Sequence, residues 1–324
     1  MTSENQNLEH LIRGFQLSCQ TEGKSPKTTE WYVTFVTRFL NFLKSNGLPT
    51  EIPEVGREHI RNFIRYLQVN ARTPRSNKPL SPATVQGYVR SLKAFYSWAE
   101  REGYVSSNVM QKIPVPKAPA KVINTFTDEQ FLKFVDLCKS SGETGTRNLA
   151  ILLLMLDAGI RVSECKGIEL SDVNLQDGTI LIRHGKGSKE RIVPIGSLVQ
   201  KTLWKYIHSS RPKPFTSQIS RLFLNSRGLP LTRSGIQQII RRYGKKAGIS
   251  NVRCSPHTFR HTFAKNYLFN GGDIFSLQRI LGHSSLSSVR IYLNLFAADI
   301  KKQHQRFSPV DNLVQNPDFR RIYP

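Results

Sequence analysis

Residues 114–124 read PVPKAPAKVIN, a run of proline, lysine and alanine with neither a helical period nor the alternation of a strand. Proline cannot donate a backbone hydrogen bond, and such a composition favours extended, solvated chain over a packed element. The run therefore divides the 324 residues into two parts, each long enough to bury a core of its own. We expect one domain at 1–116, a linker at 117–126, a second domain at 127–307 and a polar, extended C-terminal tail at 308–324.

The first part reads as helices. Ser25-Pro26 and Ser81-Pro82 each have the form of an N-cap followed by proline at the first helical position. Trp31, Phe35, Phe39 and Phe42/Leu43 follow the first at spacings of three and four, and Val85, Val89, Leu92, Phe95/Tyr96 and Ala99 follow the second. A third stripe runs through Ile60, Phe63, Ile64 and Leu67. A small helical bundle with these residues as its core is expected. Arg61, Arg65, Arg72, Arg75, Lys78, Arg90 and Lys93 are then left facing outward.

The second part opens on Thr127-Asp128-Glu129, an N-cap with acidic first-turn residues, and continues into an apolar helix at 149–156. Two short strands, 179–183 and 191–194, flank the polar turn His184-Gly185-Lys186-Gly187-Ser188-Lys189-Glu190. From Thr232 onward the pattern is helical almost to the end. The fold class is mainly α with a small β-sheet.

Charge narrows the partner. Lys and Arg number 47 against 23 Asp and Glu, a net +24 shared by both sides of the linker. An excess of this size favours a polyanion, because each phosphate neutralised releases condensed counterions. The four cysteines (Cys19, Cys138, Cys165, Cys254) lack paired spacing, so no disulfide framework is expected. The longest apolar run is far too short to span a bilayer, and the N-terminal residues carry no signal-peptide pattern. A reducing, cytoplasmic setting without a membrane partner follows.

Three clusters carry the chemistry: Arg161-Val162-Ser163-Glu164, the Lys186 turn, and the stretch from His257 to Tyr292. His257, Arg260 and His261 share one helical face at spacings of three and four. Cys254, His257, His261 and His283 are all metal-ligand types, but Arg260 would place a fixed cation among them, so a metal is not expected. The Gly185-Lys186-Gly187-Ser188 turn superficially resembles a nucleotide-binding loop. It lacks both the earlier glycine and a Ser or Thr directly after the lysine, so a hairpin turn is the better reading. What unites Arg, Lys, His and Tyr is attack on a phosphodiester. Two arginines offer planar forks for the non-bridging oxygens, and a tyrosine hydroxyl can be the nucleophile. A lysine or histidine can protonate the leaving oxygen. No cluster of carboxylates for divalent metals stands out.

Arg161 in GIRVSE, Lys186 in the GKG hairpin, His257-x-x-Arg260-His261, Leu281-Gly282-His283 and Tyr292 nine residues later together resemble the tyrosine recombinase (phage integrase) family. The resemblance covers about 125–300 in order and spacing. It implies a SAM-like helical core-binding domain followed by a tyrosine-recombinase catalytic domain. It assigns Arg161 and Arg260 to the scissile phosphate, Tyr292 to attack, Lys186 to protonating the 5′ oxygen, His257 to proton transfer and His283 to a further phosphate contact. Glu164 and His261 are read as buttresses, and Lys189 as a backbone contact rather than a substitute for Lys186. The resemblance also implies a DNA strand-transferase that works through a 3′-phosphotyrosyl link and a Holliday junction, with no ATP, no obligatory metal and no cofactor. Its partner would be double-stranded DNA, in a homo-tetramer or a hetero-tetramer with a related recombinase, and an accessory DNA-bending protein could assist. Residues 295–305 would dock on a neighbouring protomer, and the nucleoid would be its place of work. Host chromosome resolution and mobile-element integration both fit, while a catalytically inactive DNA-binding regulator and a type IB topoisomerase are the competing readings.

Overall fold

The computed structural model describes residues 6–74, 76–119, 124–183, 190–283, 285–286, 292, 304–305 and 308–313. The chain divides into two compact units, Met1–Lys121 and Val122–Pro324.

The first unit contains four main helices: α1 (Leu8–Thr21), α2 (Pro26–Ser45), α3 (Arg57–Val69) and α4 (Pro82–Arg101). Their starts follow the sequence chemistry. Ser25 accepts from the Thr28 amide and Ser81 from the Thr84 amide, each with proline at the next position. Each cap satisfies a backbone donor that would otherwise lack a partner, worth about 1 kcal/mol. The apolar stripes then meet: Phe39, Leu43, Ile60, Phe63, Leu92, Phe95 and Tyr96 are fully buried. Helix α1 adds Leu8, Leu11, Ile12, Phe15 and Cys19 to the same core.

Two expectations for this unit change. Trp31 is 51% exposed, although its ring lies 4.8 Å from that of Phe35. It sits in the second turn of α2 opposite Gly87 of α4, which offers no side chain to cover it. Lys93 does not face outward freely; its ammonium donates to the Met110 carbonyl at 2.9 Å. Arg61, Arg65, Arg72, Lys78 and Arg90 are exposed as expected, and Arg75 lies outside the described residues.

The second unit is mainly α with one small sheet. Thr127 caps α5 (Asp128–Lys139) in a reciprocal capping box with Gln130. Helix α6 (Glu143–Asp157) carries the apolar run 149–156 through the centre, with Ala150, Ile151, Leu152, Leu154 and Met155 fully buried. The one-turn helix α7 (Val162–Cys165) follows directly. The sheet pairs β1 (Val173–Asn174), β2 (Thr179–Ile182) and β3 (Arg191–Pro194) antiparallel in chain order, with Ile182 opposite Arg191. The turn joining β2 to β3, residues 184–189, lies outside the described residues, and the expected Lys186 and Lys189 lie with it.

Helices α8 (Ser197–Lys205), α9 (Arg233–Lys246), α10 (Pro256–Phe269) and α11 (Ile274–Leu281) complete the main body. Ser255 caps α10 and Asp273 caps α11, accepting from Thr258 and from both Phe275 and Ser276. Phe259 packs among Phe126, Phe134 and Phe131, and the Phe126 amide donates to Thr262 at 3.0 Å, which ties the chain entering the unit to α10. Near the C-terminus, residues 309–313 form a short helix, α12 (Pro309–Leu313), where an extended tail was expected. Ser308 accepts from the Asp311 amide, and Pro309 stands at the first position, so the local capping chemistry suffices to start a turn. No helix among the described residues is long and apolar enough to cross a membrane.

Candidate active site

The site is assembled at two chain reversals. Gly159 precedes α7 with φ +57°, and a Cβ there would stand 2.2 Å from a Phe263 ring carbon. Only glycine fits both the left-handed backbone and that approach. Gly282 ends α11 with φ +63°, a left-handed C-cap whose amide bonds back to Arg279. These two turns bring His283 into contact with Arg260 and Arg161 near enough to act on its charge.

Arg260, in the second turn of α10, is only 5% exposed. Its guanidinium donates to the Gly159 carbonyl at 2.6 Å and the Leu281 carbonyl at 2.7 Å, and lies 2.8 Å from His283 Nε2. Because a guanidinium can only donate, Nε2 accepts in this arrangement, which puts the ring proton of a neutral His283 on Nδ1. Burial, and then the neighbouring Arg161, lower the Arg260 pKa to about 10, so the group stays cationic at neutral pH.

Arg161 is the N-cap of α7. Its backbone amide donates to Glu164 Oε2 at 2.8 Å, its Nη1 to Glu164 Oε1 at 2.8 Å and its Nη2 to the Gly282 carbonyl at 3.3 Å. Glu164 also receives a two-pronged fork from Arg191, at 3.0 and 2.8 Å. Burial alone pushes the Glu164 carboxyl up, but the bonds from Arg191 and Arg161 outweigh it, so its pKa falls below 4.5. Arg191 also donates to the Ile280 carbonyl at 2.8 Å.

Tyr292 is 2% exposed, packed with Phe263, Leu268, Leu277 and Leu281. Its hydroxyl lies 3.0 Å from His261 Nδ1. Burial raises the Tyr292 pKa, while Arg260 and Arg161 pull against that rise. The structure thus gathers Arg161, Arg260, His283 and Tyr292, and adds His261 at the tyrosine hydroxyl. His257 sits one turn before Arg260 and is exposed; partial burial first, and then Arg260, Arg233, Arg253 and Arg161, lower its pKa. His257 therefore favours the neutral form, able to accept a proton.

Arg191 was missed in the sequence. It opens a strand beside Glu190 and belongs to no helical spacing, so only its position just beyond the glycine turn hinted at a role. The four potential metal ligands do not converge: no group of three or more His, Cys, Asp or Glu side chains poised for a metal occurs among the described residues.

Positive donors around a buried hydroxyl, with the His261 imidazole 3.0 Å from it, suit attack on a phosphodiester. Comparison with known proteins points the same way. Residues 124–298 match the phage integrase family, and residues 11–104 match the phage integrase N-terminal SAM-like domain. Tyrosine recombinase XerC of Oceanobacillus iheyensis is 35% identical over 309 residues, 94% of this chain and 98% of the relative. Tyrosine recombinase XerD of Staphylococcus haemolyticus is 34% identical over 230 residues, 71% of this chain and 77% of the relative. The crystal structure of the XerH site-specific recombinase bound to palindromic difH substrate, a post-cleavage complex, shares the fold at TM-score 0.70 and 20% identity, over 93% of this chain and 85% of that one. With the family's catalytic region and its SAM-like region both matched, and relatives aligned nearly end to end, this chain belongs to the phage integrase family of tyrosine recombinases.

Proposed function

We propose that this enzyme performs site-specific recombination by cutting and rejoining duplex DNA through a 3′-phosphotyrosyl link to Tyr292. The observation that carries the reading is the Tyr292 hydroxyl, held 3.0 Å from an imidazole nitrogen beside the Arg161–Arg260–His283 group. The hydroxyl oxygen attacks the scissile phosphorus, the bond to the 5′ oxygen breaks, and the phosphotyrosyl ester keeps the energy needed for resealing, so no nucleotide hydrolysis is required. Arg161 and Arg260 bind the non-bridging oxygens, where negative charge grows during attack. Lys186 protonates the departing 5′ oxygen, His257 takes part in proton transfer and His283 makes a further phosphate contact. The closeness of His261 to the hydroxyl supports a part for it in orienting the nucleophile.

Duplex DNA is the substrate, in line with the net charge of +24 and with the DNA-bound state of the XerH relative. Strand exchange proceeds in a tetramer on two sites through a Holliday junction, with identical protomers or with a related recombinase, and an accessory DNA-bending protein could assist. Residues 295–305 dock on a neighbouring protomer. The enzyme works in the cytoplasm at the nucleoid.

The test is a suicide duplex, nicked close to the cleavage position so that a short strand diffuses away and traps the adduct, with candidate junction sequences. Wild type should give a protein–DNA adduct that survives denaturation, and Tyr292→Phe none. An adduct formed equally by Tyr292→Phe would remove Tyr292 as the nucleophile, and no adduct on any tightly bound duplex would overturn the enzymatic reading.

A further inference from the structure

Arg191 is the one arginine of the cluster to which the proposed chemistry gives no task. It is the first residue of β3, paired with Ile182, so the connecting segment that carries Lys186 begins and ends at this pair. Its side chain is 12% exposed. One face of its guanidinium packs against Gly282, where an added Cβ would stand 3.0 Å from Cζ.

Three consecutive carbonyls at the end of α11 are each held by a different arginine. Ile280 accepts from Arg191, Leu281 from Arg260 and Gly282 from Arg161. The last carbonyls of a helix lack intrahelical donors and carry its negative partial charge, so they draw cations. Arg191 differs from the other two in also forking onto both oxygens of Glu164, the carboxylate that fixes Arg161. It therefore joins three pieces: the root of the hairpin, the carboxylate behind Arg161 and the turn that presents His283.

We propose that Arg191 is a positioning residue for DNA cleavage, setting Arg161 and the Gly282–His283 turn against the scissile phosphate without touching DNA itself. The inference rests on the phosphotyrosyl reading above. Without Arg191, Glu164 keeps only the two bonds from Arg161, and nothing opposes that carboxylate drawing the Arg161 fork toward itself. The α11 terminus loses its tie to the sheet at the same moment. Displacements of about 1 Å in a reacting group can cost about 100-fold in rate.

The experiment is single-turnover cleavage of the suicide duplex by the full-length chain at saturating protein, comparing wild type, Arg191→Ala and Arg191→Lys. Two quantities are read from each trace, the rate and the final amplitude, and the salt dependence of DNA binding is measured alongside. Arg191→Ala should cleave about 10- to 100-fold more slowly, with amplitude and salt slope unchanged. Arg191→Lys keeps the cation but cannot fork onto Glu164 while holding the Ile280 carbonyl, so its rate should fall between the two. A fall in amplitude at unchanged rate would mean that Arg191 serves folding only, and would overturn the proposal. So would a salt slope smaller by about 1, the mark of a lost phosphate contact. Wild-type rates for both variants would overturn it as well; if Arg191→Ala does not fold, the Arg191→Lys rate decides alone. Absence of any wild-type adduct is distinct from these outcomes, because it removes the phosphotyrosyl reading and this inference with it.

Discussion

Replacing Glu164 with glutamine removes one charge while preserving shape, and the structure sets the scale of the loss. Glu164 is 5% exposed and accepts four bonds: two from the Arg191 fork, one from the Arg161 side chain and one from the Arg161 amide. A carboxamide can accept only on its oxygen, and it turns an N–H donor toward at least one guanidinium or the amide. Breaking one side of a buried ion pair typically costs about 3–5 kcal/mol, because the remaining charge stays buried without compensation. Both arginines here retain carbonyl partners, which places the expected loss near the lower end, about 3 kcal/mol. Urea unfolding of wild type and Glu164→Gln at neutral pH measures it. The same contact has a pH signature. The folded-state pKa lies below 4.5, so the native state binds this proton more weakly than the unfolded chain does. The contribution is full above the unfolded value and disappears as pH falls through the lowered folded value. Glu164→Gln should accordingly lose less stability than wild type between neutral and acid pH. A destabilisation below about 1 kcal/mol, the range of an exposed ion pair, or an identical acid dependence in both proteins would refute the argument.

Gly159→Ala should destabilise by about 2–5 kcal/mol, combining about 1–2 for a left-handed residue with about 1–3 for overpacking against Phe263 and Leu281; a thermal midpoint unchanged from wild type would contradict it. Arg260→Ala should abolish most cleavage of the suicide duplex while DNA binding persists, since one phosphate donor is lost among many contacts. Retained cleavage would remove Arg260 from the chemistry. Non-specific DNA affinity should fall steeply with salt, given a net charge of +24, and a flat dependence would show that phosphate contacts do not dominate.

Helices of the first unit were legible because their apolar residues recur at three and four and their starts carry Ser-Pro caps, both local signals. Trp31 escaped because its cover depends on the residue opposite, and Gly87 lies 56 positions away in the chain. Arg161, Arg260, His283 and Tyr292 could be singled out because residue type and order already suit one chemistry. Arg191 could not, since its role is defined by what it touches: Glu164, 27 positions earlier, and Ile280, 89 positions later. Spacing rules reach across one element, whereas those two contacts exist only after a sheet, a one-turn helix and a helix terminus have packed together. His261 is an intermediate case. Its place after Arg260 marked it as close to the site, but its distance from the tyrosine hydroxyl depends on how α10 meets Tyr292.

For the phosphotyrosyl reaction proposed above, the choice of partners for the arginines bears directly on catalysis. A carboxylate orients a guanidinium and cancels its charge, while a carbonyl orients it and leaves the charge in place. Arg260 is held by two carbonyls and an imidazole, and Arg161 and Arg191 share the single carboxylate of Glu164. Three guanidiniums less one carboxylate leave an excess of two positive charges in this cluster. A phosphodiester in its ground state carries one negative charge, and attack by a tyrosine oxygen that has lost its proton raises this to two in the five-coordinate transition state. The surplus therefore matches the transition state better than the bound substrate, which is the condition under which an electrostatic interaction lowers a barrier rather than merely tightening binding. Giving each arginine its own carboxylate would stabilise the empty protein and remove that difference. Orientation by helix-end and turn carbonyls accordingly holds the donors in place before DNA arrives while keeping their charge for the reaction.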